Sequence, residues 1–173
     1  AYGIIQNHGG TINVYSEKGH GTTFTIYLPA SEKQPVREAV SGDASLHKGT
    51  ETILLVDDQE MVADVGREML NALGYSVLVA KSGREAIEIF ENNKDTVNLV
   101  ILDMIMPEMS GGETYDKLKE IKPEIKAILS SGYSLDGQAE RIISRGCNDF
   151  IQKPFNMNEL SEKIRRVLYQ SSR

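Results

Sequence analysis

Five polar residues stand where runs of apolar residues stop, and their types are those that handle phosphoryl groups. Asp57-Asp58 follow Ile53-Leu54-Leu55-Val56, Asp103 follows Val97 to Leu102, Ser131 comes after Ile125 to Leu129, and Lys153 comes after Phe150-Ile151. Grouped carboxylates suit a hard divalent cation, which takes oxygen ligands. An ammonium and a hydroxyl beside them could balance the negative oxygens of a transferring group. A carboxylate can also be the attacking nucleophile, forming an acyl phosphate.

Convergence of these side chains depends on the elements that carry them. Each run is apolar throughout instead of alternating, the pattern of a parallel strand buried on both faces. Open α/β sheets bind ligands at the carboxyl ends of their strands, so the five residues should meet in one pocket. From Glu51 onward, strand-like and helix-like stretches alternate five times. The first helix is read with Val62, Val65, Met69 and Leu73 on its core face and Gly74 as its stop. Tyr75 to Ala80 reads as the second strand, and Ser82 or Gly83 opens a helix bearing Ala86, Ile87 and Phe90. Later helices show Leu118 with Ile121, Ala139 with Ile142 and Ile143, and Leu160, Ile164, Val167 and Leu168. Regular βα alternation with right-handed crossovers implies a doubly wound, five-stranded parallel sheet with helices on both faces.

Composition narrows the function classes. A chain of 173 residues that is 40% hydrophobic can build one full domain plus a smaller piece. The net charge of −6 and pI near 5.1 argue against a nucleic-acid surface. The basic cluster Lys163, Arg165 and Arg166 falls along one helix and reads as a solvated face. Cys147 is the sole cysteine, so no internal disulfide can form and a reducing compartment fits. No apolar stretch reaches the roughly 18 residues of a membrane span, and the first residues lack the form of a signal peptide. The expectation is a cytoplasmic piece without direct membrane contact.

Ahead of the alternating region, residues 1–30 carry a helix end closed by Gly9-Gly10 and then two alternating segments around a Gly19-His20-Gly21 turn. Ile12 and Val14 share a face in the first segment, and Phe24, Ile26 and Leu28 repeat the pattern in the second. Residues 31–50 are polar, with Pro35, Gly42 and Gly49, and read as a linker. Residues 51–173 form the third division.

The ordered set Asp57-Asp58, Asp103-Met-Ile-Met-Pro107-Glu-Met-Ser-Gly111, Ser131-Gly132 and Lys153-Pro154-Phe155 resembles the signature of response regulator receiver domains. That resemblance implies a flavodoxin-like sheet of strand order 2-1-3-4-5 and a site for Mg²⁺. It makes Asp103 the phosphoacceptor, Asp58 and Asp103 direct ligands of the ion, Asp57 a ligand directly or through water, and the Ile105 carbonyl a further ligand. Lys153 and Ser131 would hold phosphoryl oxygens, Ser131 and Phe150 would form the switch, and the Lys153-Pro154 bond would be cis. The donor implied is a phosphohistidine, on the protein's own kinase domain or on a phosphotransfer domain. Bulky Ile105 and Tyr133, each two residues beyond a site residue, would screen the acyl phosphate from water and slow its decay.

Tyr2 to Gly10, Ile12 to Glu17 and Gly19 to Pro29 resemble the end of a histidine-kinase ATP-binding domain. The nucleotide-binding residues of that family have no counterpart in this sequence, and neither does its phosphoacceptor histidine, so the piece carries no kinase site. His8, His20 and His47 fall at a helix end, a turn and the linker. The combined expectation is part of a hybrid sensor histidine kinase, with no DNA-binding segment after Arg173. An apolar hairpin face of this kind stays mobile or borrows another surface, so a dimer is one partner expectation.

Blander readings exist for each residue. Asp57 with Glu60 matches a capping box, Ser131-Gly132 a turn, Lys153-Pro154 a loop, and Phe150 a core position. Two other function classes also compete. A haloacid-dehalogenase-type phosphatase would need Asp-x-Asp after the first strand, which Asp57-Asp58 does not supply. A phosphorylation-independent interaction module of the same fold would usually lose one of the acids, the hydroxyl or the lysine, and all are present here.

Overall fold

The computed structural model describes residue 5 and residues 9–19, 21–29, 46–132 and 137–169. The chain divides into two units, Ala1–Asp43 and Ala44–Arg173.

In the first unit, β1 (Thr11–Glu17) and β2 (Gly21–Tyr27) pair antiparallel, with Ile12 opposite Ile26 and Val14 opposite Phe24. Gly19 and Gly21 adopt φ of +88° and +94°, which a residue with a Cβ resists, and this lets the chain reverse there. Val14, Phe24 and Ile26 share one face and remain more than half exposed, so the ribbon has no core of its own among the described residues. The expected helix end at residues 1–8 lies outside the described residues except for Ile5, and so do His8 and His20.

The second unit is a five-stranded parallel sheet. Its elements are β3 (Thr52–Val56), α1 (Glu60–Ala72), β4 (Ser76–Ala80), α2 (Gly83–Asn93), β5 (Val97–Asp103), α3 (Gly111–Ile121), β6 (Lys126–Ser131), α4 (Gly137–Ser144), β7 (Asp149–Gln152) and α5 (Met157–Tyr169). Strands lie in the order β4-β3-β5-β6-β7, which is 2-1-3-4-5 counted from β3, as expected. Successive residues of one strand serve opposite cores. Ile53 and Leu55 pack with α1 and α5, through Leu70, Leu73, Leu160, Ile164 and Val167. Leu54 and Val56 pack with α2, α3 and α4, through Phe90, Tyr115, Leu118 and Ile142. This two-sided burial is why the strands read as unbroken apolar runs.

One expectation about local structure needs correction. The core face of α1 is Ala63, Gly66 and Leu70, continued by Leu73 just past the helix and flanked by half-buried Met69, while Val62 and Val65 lie off it. Gly66 lets the helix sit on β3, because a Cβ there would approach Leu55 Cδ2 to 2.9 Å. Asp57 and Glu60 do not form a capping box: Gln59 is the N-cap without a side-chain bond, and Glu60 pairs with Lys81 at 2.8 Å. Within the expected linker, Gly49 N–H donates to the Leu73 carbonyl at 3.0 Å; residues 31–45 lie outside the described residues. Smaller offsets occur at Tyr75, a buried residue just before β4, and at β7, which starts at Asp149.

A glycine sets the approach of α3 to the end of β5. Ser110 caps α3 in a full capping box with Glu113, and the first helical residue, Gly111, lies against β5's last carbonyl. A Cβ there would stand 2.3 Å from Asp103 O and 2.8 Å from Met104 Cα, both backbone atoms that cannot step aside. Gly111→Ala should therefore lower the urea-unfolding free energy by about 1–3 kcal/mol, the usual cost of overpacking. Gly132→Ala, where a Cβ meets nothing within 4 Å, should stay within about 0.5 kcal/mol of the parent.

Candidate functional site

The sheet brings its carboxyl ends level. Asp103 lies beside Ser130 across the β5–β6 pair, and Ser131 beside Gln152 across β6–β7. The backbone continues the registry past the strands: Met104 N–H donates to Ser130 O at 3.0 Å and Lys153 N–H to Ser131 O at 2.7 Å. Asp57 is tied in on the other side by its N–H to Ala80 O at 3.1 Å.

Lys153 bridges two acids. Its Nζ lies 2.5 Å from Asp57 Oδ2 and 3.1 Å from Asp103 Oδ2, with all three side chains largely withdrawn from water. Asp57 Oδ1 also accepts from Gln59 N–H at 3.1 Å, turning the chain into α1. Asp58 Oδ1 is buried with no hydrogen-bond partner. Each of Asp57, Asp58 and Asp103 offers one oxygen within 4.8 Å of the others. An orphaned buried carboxylate oxygen is costly unless a cation meets it. The donor set is oxygen only, which fits Mg²⁺ better than a softer metal.

Burial pushes the Asp103 carboxyl above its ordinary range, against the pull of Lys153, and the nearby Asp57 charge adds to the rise. Ser131 is buried at the end of β6, and the Lys153-Pro154 peptide is cis. Ile105 sits two residues past Asp103, more than half exposed at the mouth. Phe150 is half-buried and packs against the core shared by α2, α3 and α4, so it stands as a core-edge residue here. Tyr133 lies outside the described residues.

One feature of the site was missed from sequence. A groove of about 700 Å³ leads to Asp103 and Lys153, walled by Met61, Val62, Val65 and Met69 of α1 and by Ile105 and Phe155. Met61 is 80% exposed and Val65 54%. The signal was present: α1 carries two apolar stripes side by side, and only one can face the sheet.

Comparisons with known proteins agree with this geometry. The family profile described as response regulator receiver domain matches residues 53–165. The sensor kinase CckA of Brucella abortus (strain 2308) is 37% identical over 175 residues, covering 96% of this chain and 18% of that protein. The aerobic respiration control sensor protein ArcB of Escherichia coli (strain K12) is 30% identical over 166 residues, covering 94% of this chain and 21% of its own length. The chain thus spans about a fifth of the curated sensor kinases it matches. Among solved structures, a receiver domain protein from Clostridium thermocellum superposes with a TM-score of 0.66 at 29% identity, over 68% of this chain and 94% of that one. The NtrX receiver domain from Brucella abortus gives 0.64 at 30%, over 69% and 99%.

A raised native carboxyl has a definite stability sign. Native Asp103 holds its proton to higher pH than the unfolded chain does, so its contribution to stability declines as pH rises from the ordinary Asp range through the raised native value. In metal-free buffer near neutral pH, Asp103→Asn should therefore melt at a higher temperature than the parent. The gain should shrink as the pH approaches about 4, near the ordinary Asp value. A thermal midpoint for the variant at or below the parent's near neutrality would contradict the desolvation account.

Proposed function

Because this chain belongs to the response regulator receiver domain family, we propose that its second unit accepts a phosphoryl group from a phosphohistidine onto Asp103 and relays or holds it as a signal. The observation that carries the reading is the Asp57, Asp58 and Asp103 cluster bridged by Lys153, with the Asp58 oxygen left unsatisfied. An interaction module that never titrates a phosphoryl group has no use for a buried carboxylate set of this cost.

In the proposed step, an Asp103 carboxylate oxygen attacks phosphorus in line while the phosphorus–nitrogen bond to imidazole breaks. The imidazole nitrogen leaves with the bonding pair and takes up a proton, and Asp103 becomes an acyl phosphate. Bound among Asp57, Asp58, Asp103 and the Ile105 carbonyl, Mg²⁺ would supply charge neutralisation for the entering anion. Lys153 Nζ, now on Asp57 and Asp103, would turn to a phosphoryl oxygen, and the Ser131 hydroxyl would bond another. Ser131 and Phe150 are the proposed switch pair.

The donor would approach along the groove that ends at Asp103. Its walls are apolar, and the exposed residues of α1 around it include Glu60, Asp64 and Glu68 against Arg67. That suits a helix carrying the phosphohistidine beside apolar anchors and a basic flank. The parent protein is proposed to be a cytoplasm-facing hybrid sensor histidine kinase. Residues 1–30 would end its ATP-binding domain, residues 31–50 would connect, and residues 51–173 would be the receiver. Alignment of sensor kinases across nearly the whole chain, hairpin included, supports this reading, as do the exposed apolar residues of the hairpin, which need a sheet to complete. Among the described residues no helix is long and apolar enough to cross a membrane.

With Mg²⁺ and a small acyl-phosphate donor, intact-mass measurement should show one added, acid-labile phosphoryl group. Chelation of the metal should prevent the addition, and so should Asp103→Asn. Equal labelling of that variant would sink the assignment. In the same experiment Ile105→Asn should shorten the lifetime of the label by about tenfold, because an amide at the mouth can orient the hydrolytic water that isoleucine excludes.

A further inference from the structure

Residues 46–50, ahead of β3, are held by the last helix. His47 exchanges two backbone bonds with one side chain: its N–H donates to Ser161 Oγ at 2.8 Å, and the Ser161 hydroxyl donates to His47 O at 3.2 Å. Ser161 lies on α5 and is 1% exposed, beside the core residues Leu160 and Ile164. A buried hydroxyl must be hydrogen-bonded, and both bonds go to one residue of the connector. Gly49 N–H then satisfies the Leu73 carbonyl at the end of α1, which the helix itself leaves unpaired. A Cβ on Gly49 would fall 2.1 Å from Tyr75 Cε1, so the segment fits only as glycine there. At the far end of α5 the Tyr169 hydroxyl donates to Glu51 Oε1 at 2.7 Å, with Arg165 stacked 3.8 Å from the Tyr169 ring centre. Residues 46–50 thus form a strap laid along α5 and tied to α1.

The same helix begins four residues after Lys153. Phe155 and Met157, within and at the end of that short link, pack against the core shared by α1 and α5. A displacement of the lysine therefore reaches α5 through packed side chains.

We propose that the strap at residues 46–50 is a latch that couples the state of the Asp57–Asp103–Lys153 site to the connector, seated while Lys153 bridges the two acids and released when the lysine turns to a phosphoryl group. This rests on the phosphoacceptor reading above. The latch is sensitive because its two Ser161 bonds demand close placement of a single oxygen, and hydrogen bonds weaken steeply once distance and angle drift. Packed interfaces shift between discrete arrangements instead of deforming continuously, so a small movement at the lysine can unseat the pair.

The test is hydrogen exchange of the full chain with and without Mg²⁺ and beryllofluoride, a phosphoryl analogue, while fluorine resonance reports occupancy. A bound fluoride signal should come with exchange at the His47 and Gly49 amides about fivefold faster, the equivalent of one net hydrogen bond lost. Ser161→Ala should exchange fast at both amides without ligand and gain nothing further on binding. Gly49→Val should do the same, and it leaves α5 untouched should the serine variant loosen that helix. Bound fluoride with unchanged exchange in the parent overturns the coupling, and so does slow exchange in both variants. Absence of any bound fluoride overturns the phosphoacceptor reading itself, and the latch with it.

Discussion

A single ammonium holds the site together. Lys153 Nζ stands between Asp57 and Asp103, two carboxylates that burial would otherwise set against each other and against folding. Three carboxylates facing one ammonium leave two formal negative charges uncompensated, the complement of a divalent cation. In the proposed reading the lysine is a placeholder: it offsets the carboxylates, and its long flexible stem would let it yield one acid to an ion and turn to a phosphoryl oxygen. Cost and function share one origin, since the burial that disfavours the charges also strengthens their grip on an incoming ligand.

Everything that positions this cluster comes from the sheet. Parallel strands buried on both faces must place their polar ends at one edge, and the order β4-β3-β5-β6-β7 puts β3 and β5 side by side with β7 two places on. Asp57 and Asp103 thus face each other across adjacent strands, and Lys153 reaches over β6 to meet them. Close approach behind the site depends on Gly111, whose missing Cβ lets α3 start against the carbonyl of Asp103. On the open side, the apolar residues of α1 that face away from the sheet wall the groove that leads to the site.

The strands and the cluster were legible in the sequence because a fully buried strand has no polar alternation to confuse it, and each polar residue ended such a run. The core face of α1 was misread for the opposite reason. Val62 and Val65 are as apolar as a core requires, and Gly66, which marks the true contact, has no side chain to count. The blander capping-box reading does not hold because the N-cap is Gln59: Asp57 spends one oxygen on Lys153 and the other on Gln59 N–H, and Glu60 pairs with Lys81. The strap was invisible because Ser161 and Gly49 are common residues whose meaning lies in what the fold brings to them. Phe150 shows a limit of a different kind, since core edge and switch differ only in what the ring does after the site is filled.

If Lys153 stands in for the cation, removing its charge should make the cation bind better. Calorimetric titration of Mg²⁺ into the parent and into Lys153→Met compares the two at fixed ionic strength. Loss of one positive charge a few ångströms from the ion should tighten binding by about tenfold or more, even at a water-like dielectric constant. Equal or weaker affinity in the variant would show that the lysine does not compete for the carboxylates, and the placeholder account would fall.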